Sequence, residues 1–240
     1  MMRALALAVL FLTALSAPAR ALTVDVSDET IRVTTGFTGA NLTVFGTQDQ
    51  KGDVVIVVKG PPRKMTVRRK TSVGGLWTNT SSREFKGVPS FYETAAASTL
   101  DTIAPEAVLR ENRIGADNLV IGRTDDEGKE PYVDALFENR VDKKLFVRDV
   151  VPLTYPGPNL FKARFAIPAS VTAGEYTVLA YLFENGKIVA QTSVPFEIVP
   201  EGLSADLRRF ATQNGFLYGL AGMAMAIVAG WLATVLLKRD

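Results

Sequence analysis

The chain has 240 residues, 47% of them hydrophobic, and a net charge of +2, which is room and apolar content for a sizeable core but no charge excess that would select nucleic acid as a partner. It contains no cysteine and no histidine. Disulfide frameworks, thiolate chemistry, His-based metal sites and both Ser-His-acid and Cys-His catalysis are therefore excluded within this chain.

The first stretch, MMRALALAVLFLTALSAPARA, places Arg3 ahead of an apolar run from Ala4 to Leu15, and then Ala19-Arg20-Ala21 in the small-x-small pattern that signal peptidase accepts. About 12 apolar residues make a helix of only ~18 Å, short of a ~30 Å hydrocarbon core. Residues 1–21 read as a cleaved signal peptide.

The mature part opens with period-two patterning. FTGANLTVFG (Phe37 to Gly46) is a turn feeding a strand, with Leu42 and Val44 on one face. DVVIVVK is apolar on both faces from Val54 to Val58 and reads as a central strand. KMTVRRK sets Met65 and Val67 against Lys64, Thr66 and Arg68. Pro105 and Pro131 stand where helices begin and Gly115 where one stops, which predicts short helices near Pro105 to Arg113 and Pro131 to Arg140.

Beyond them, LFKARFAIP alternates Phe161, Ala163, Phe165 and Ile167 against Lys162 and Arg164. GEYTVLAYLFENGKIVAQTSVPFEIV gives two long strands around a type I′ turn at Asn185-Gly186. A two-residue turn sets Phe183 opposite Ile188 and Tyr181 opposite Ala190, with Pro195 at an edge or bulge. Strands on both sides of a helical stretch predict a mostly β fold: one immunoglobulin-like β-sandwich over residues 22–203 with a helical insert near 100–141. Two small β domains are the alternative.

Residues 204–215 form a juxtamembrane segment. FLYGLAGMAMAIVAGWLATVLL (216–237) is an uncharged run of ~33 Å as helix, closed by Lys238 and Arg239, and reads as a transmembrane helix. With a signal peptide in front, the β domain lies outside and residues 238–240 form a cytoplasmic tail. Gly215, Gly219, Gly222, Ala226 and Gly230 recur at three- and four-residue steps, a stripe that suits close approach of a second helix.

FTGANLTVFG, DVVIVVKGP, VRRK, LWTN, PSFY and FLYGLAGMAMAIVAGW, in that order, resemble the alphaproteobacterial transmembrane family Alph_Pro_TM over nearly the whole mature chain. The resemblance implies a bacterial inner-membrane protein with a periplasmic domain, in the company of sulfite-exporter-type permeases. It supplies no catalytic residue and no cofactor.

Candidate binding residues come from charge and aromaticity. Arg68, Arg69 and Lys70 centre a basic stretch, and Trp77, Phe91 and Tyr92 follow it; together they could face an anionic ligand, lipid headgroups or an acidic partner. Against that stand internal pairing with the acidic segment around Asp125, Asp126, Glu127 and Glu130, and burial of the aromatics as core plugs. RTDDEGKE fails as a calcium loop, because Gly128 at the sixth position puts Arg123 where a carboxylate is required. No metal, cofactor or catalytic residue is expected. The sequence favours a membrane-anchored binding module whose partner is another integral membrane protein or a second copy, with no nucleic acid. A periplasmic sensor or carrier of an anionic small molecule or lipid is the alternative, and a carboxylate-based hydrolase a distant third.

Overall fold

The computed structural model describes residues 22–73, 75–119, 121 and 128–237. The signal-peptide stretch, Asp125 to Glu127 and the tail 238–240 lie outside the described residues.

Strands β1 (Leu22–Val26), β2 (Thr30–Val33), β3 (Gly39–Gln48) and β4 (Asp53–Lys59) open the chain. β5 (Pro62–Val73) and β6 (Leu76–Pro89) form a hairpin of their own, followed by β7 (Tyr92–Ala96). The helical insert comprises α1 (Leu100–Ile103), α2 (Glu106–Glu111), a 3-10 turn (Ala116–Asn118) and α3 (Glu130–Asp142). β8 (Val151–Thr154), β9 (Leu160–Pro168), β10 (Gly174–Glu184) and β11 (Lys187–Pro200) complete the β part, and α4 (Leu203–Gln213) and α5 (Gly215–Leu237) end the chain.

The strands run in the order β1-β3-β9-β8-β7-β4-β10-β11-β2. The run folds into two layers because β8 pairs antiparallel with β9 through Leu153 and Thr154, and parallel with β7 through Val151 and Pro152. One layer is β1-β3-β9-β8 and the other β2-β11-β10-β4-β7. These are the ABED and GFCC′ orders of an immunoglobulin sandwich, with β2 added parallel to β11. Strands from before and after the insert share one nine-stranded order, with the β5–β6 hairpin as a separate two-stranded sheet.

β3 and β9 face β4, β10 and β11 across the first core. Leu42, Val44, Phe161 and Phe165 of one layer and Ile56, Val58, Tyr176 and Val178 of the other are wholly buried there. The turn before FTGANLTVFG enters its strand is made by Gly39, whose φ of +122° and 2.9 Å approach of a would-be Cβ to the Ile167 carbonyl admit only glycine. At Gly46 a side chain would strike the Thr23 carbonyl and the Phe161 ring. β4 is apolar on both faces because it is covered on both: Val55 and Val57 belong to a second core, built by Tyr181 and Phe183 of β10 with Met65 and Phe85 of the hairpin and Leu109, Leu136 and Phe146 of the insert. Hairpin and insert thus form a third layer on the outer face of the β10-β4-β7 sheet.

At the β10–β11 turn Asn185 (φ 51°) and Gly186 (φ 75°) take the paired positive angles of a type I′ turn, and Phe183 stands opposite Ile188. Tyr181 does not meet Ala190. Val189 is an extra residue at a bulge, so Leu182 pairs with Ala190 and Tyr181 with Gln191. Pro195 lies before β2 begins its pairing at Glu197, where the outer side of β11 is an open edge. In the insert, Pro105 caps α2 from outside and Pro131 occupies the first turn of α3, while α1 adds a helix that the proline pattern does not announce. The juxtamembrane segment is helical through Gln213.

Candidate functional site

The basic stretch lies on the two-stranded hairpin. Arg68, Arg69 and Lys70 are exposed on β5, beside a bulge between Arg69 and Lys70, and among the described residues they form no ion pair. Lower on the hairpin Lys64 pairs with Glu84 at 2.8 Å. The Ser81 hydroxyl lies 2.6 Å from the Tyr132 hydroxyl and ties β6 to α3. Trp77 stands opposite Ser72 on β6; its side chain lies outside the described features.

Phe91 and Tyr92 do not join this surface. Both are fully buried, and as neighbours on an extended chain they point to opposite sides of the sheet. Phe91 packs against Tyr176 in the first core, with ring centroids 6.3 Å apart. Tyr92 enters the second core, where its hydroxyl donates to the Arg113 carbonyl at 2.8 Å and accepts from the Gly115 amide at 2.9 Å. Their pairing with the basic residues is corrected: proline and aromatic content signalled a core plug that locks the insert to β7. Burial pushes the Tyr92 phenol up to about 12, which keeps it neutral and able to donate. Reversing charge with Arg68→Glu and Arg69→Glu is expected to leave the thermal midpoint unchanged within the equivalent of about 0.5 kcal/mol, since both sites are exposed. A thermal melt checks this.

A cleft of about 950 Å3 opens where the sandwich is incompletely closed. Its walls are the start of β3 (Thr38 to Asn41), the end of β9 (Ala166 to Ala169) and the segment from Val141 to Asp149 that joins α3 to β8. The latter runs beside β7, with the Tyr92 amide donating to the Leu145 carbonyl at 2.8 Å and the Val147 amide to the Tyr92 carbonyl at 3.1 Å. Glu93, on the side of β7 that faces the other sheet, lines this cleft. It is only 4% exposed and is the one ionisable side chain among the buried polar residues described. Its Oε2 is sealed from solvent and has no hydrogen-bond partner. Burial raises its carboxyl to about 7.

Of the charged residues at the cleft, Arg148 is committed elsewhere, to Glu138 at 2.8 Å, Asp117 at 3.6 Å and the face of Phe137. Lys144 and Asp149 are exposed at the rim. Glu93 escaped the residue-type reasoning because it belongs to no motif. Its signal is solitude: from Val88 to Leu100 it is the single charged residue, in a strand whose five positions are all buried. Among the described residues no group of three or more His, Cys, Asp or Glu side chains gathers to hold a metal ion.

The third candidate is the C-terminal pair of helices. α5 is long and apolar enough to cross a membrane, and Gly215 to Val235 are exposed along their whole length. Side chains added at Gly215, Gly219, Gly222 or Gly230 would meet nothing, and Ala226 is equally open. Nothing described elsewhere in the chain packs on the small-residue stripe. α4 before it is amphipathic: Leu207 and Phe210 are exposed on one side, while Arg208, Arg209 and Thr212 line a groove of about 500 Å3 against Thr34, Thr35 and Glu201 at the base of the sandwich. Asn214, at φ −128° and ψ 51°, breaks the path between the two helices.

The family model described as "Putative transmembrane protein (Alph_Pro_TM)" matches residues 21–239. No curated protein matches the chain. Among solved structures, AggA, the major subunit of aggregative adherence fimbriae type I from Escherichia coli, is similar at 10% identity, covering 77% of this chain and 97% of that one with a TM-score of 0.29.

Proposed function

This chain belongs to the Alph_Pro_TM family, and from that premise we propose that it is a membrane-anchored interaction module, the accessory subunit of an inner-membrane, transporter-type assembly. The reading places the sandwich in the periplasm behind a signal peptide cleaved after Ala21, and residues 238–240 in the cytoplasm. The observation that carries it is the span itself: α5 presents a face of small residues that nothing described in its own chain covers. Small residues let a second helix approach closely enough for dispersion contacts that lipid does not match. The amphipathic α4 fits the same reading. Its exposed Leu207 and Phe210 adjoin the start of the span, at the depth where an interfacial helix buries its apolar side, and its arginines stay with the polar base of the sandwich. The function is binding and not catalysis.

Purification from detergent-solubilised membranes, with identification of what accompanies the chain, tests the partner. Gly222→Leu with Gly230→Leu is expected to weaken association by about 1 kcal/mol or more while leaving insertion intact. Unchanged crosslinked complexes in the double variant would remove the stripe from the interface. An alkaline phosphatase fused after Asp240 should be inactive; activity there would reverse the topology.

A second reading has its own observation, the exposed Arg68, Arg69 and Lys70, which pair with no acid among the described residues. On it the hairpin takes an anionic ligand or headgroup, and the Arg68→Glu, Arg69→Glu variant loses that binding in a salt-dependent way.

A further inference from the structure

We infer that the cleft between β7, β9 and the Val141–Asp149 segment is a binding site for an organic cation, a primary ammonium or a guanidinium, held by the Glu93 carboxylate. Two independent features carry the assignment. The first is the opening itself. β8 is short and pairs with β9 only at Ala163 and Lys162, so the end of β9 from Ala166 to Pro168 and the start of β3 border an open cleft, not a closed sheet. The second is that the cleft has a buried acid on its wall that its own chain does not satisfy: Glu93 is 4% exposed, with one oxygen lacking any partner. A buried carboxylate without a donor is costly, and a charged N–H donor offsets that cost most fully because it supplies hydrogen bonds and opposite charge together in a medium of low polarity.

The occupant's chemistry follows from what surrounds the acid. From the Val141–Asp149 wall come Lys144, Arg148 and Asp149; β3 and β9 bring only the neutral Thr38 and Asn41 and apolar or backbone groups. On β4, the strand hydrogen-bonded to β7, Lys59 is turned to the ring of Tyr92, 5.9 Å from its centroid. Arg148 is held by Glu138 and Asp117. One buried carboxylate, without a gathered set of acids, suits a monovalent nitrogen cation better than a divalent metal. The cation has two possible sources, a free amine of the compartment or the Lys or Arg side chain of a partner polypeptide. The second rests on the interaction-module reading and the first does not.

Isothermal titration of the full chain in detergent micelles at pH 8 separates them, with n-butylammonium and methylguanidinium as free cations and Ala-Ala-Lys-Ala-Ala and its norleucine counterpart as peptides. Saturable binding of a cation, weakened at least tenfold in Glu93→Gln and falling about tenfold per pH unit below about 7 as the carboxyl takes up its proton, supports the site. A lysine peptide that binds more tightly than n-butylammonium, with no binding of the norleucine form, assigns the source to a polypeptide; the reverse order assigns it to a free amine and leaves the site standing without the interaction module. No binding of any probe, or equal binding by wild type and Glu93→Gln, overturns the proposal. So does binding that appears only in Lys144→Gln, because the acid would then be satisfied by its own chain.

Discussion

Phe183→Ala is expected to destabilise the sandwich by about 3–5 kcal/mol, as much as Phe165→Ala, although the two phenylalanines lie on opposite sides of a sheet. Phe165 is wholly buried between the layers. Phe183 is 1% exposed on the outer face of β10, and what buries it is the hairpin and insert. Removing either ring deletes the same transfer free energy and leaves a cavity that close-packed neighbours refill only in part. Against a total stability of roughly 5–15 kcal/mol, each loss brings the domain close to its unfolding threshold. Urea unfolding of the two variants, side by side, measures it. If Phe183→Ala costs under about 1 kcal/mol while Phe165→Ala costs several, the third layer is a loose cover and not part of the cooperative unit.

Glu93→Gln is expected to stabilise the ligand-free protein at pH 8 relative to its effect at pH 4.5, by roughly 3 kcal/mol. The carboxyl is raised by burial from 4.5 to about 7, so the folded protein holds the proton more tightly than the unfolded chain does. Its contribution is therefore undiminished below pH 4.5, declines as pH rises from there toward 7, and stays low above. Glutamine cannot ionise and removes that decline. Comparing variant with wild type at the two pH values cancels the other titrating groups, so unfolding curves at both isolate this residue. An effect of the substitution that is the same at pH 4.5 and pH 8 would show that Glu93 is solvated or paired in the folded protein.

The parts of the fold that sequence patterning exposes are those where one residue type has one physical use. Val54 to Val58 are apolar on both faces because two cores meet at β4, and Asn185-Gly186 carries the positive angles of its turn in its composition. β6 was not legible: among the described side chains of LWTNTSSREFKGVP only Phe85 and Val88 are in a core, so the period-two signal is diluted by positions that are mostly exposed. The bulge at Val189 was hidden for another reason, since an extra residue changes the register without changing the alternation on either side. At the candidate site the sequence displayed the surface and concealed the interior. Arg68, Arg69 and Lys70 stand out as charge and are indeed exposed, while Phe91 and Tyr92 resemble exposed anchors and are core, because an aromatic's burial depends on what crosses over it. Glu93 is one letter among neutral ones, and only the gap between β7 and β9 gives it meaning.

The parallel pairing of β2 with β11 sets an order in time. Thr30 to Val33 lie against Glu197 to Pro200, so nearly the first strand of the domain is completed by the last, within a few residues of α4. Contacts so distant along the chain form late, because the loop between them must be closed before they return anything. During synthesis the edge of β11 that receives β2 does not exist until almost the whole domain has been made, and until then β2 waits as an unpaired strand open to wrong partners. The sandwich is finished only when the residues that adjoin the span have emerged.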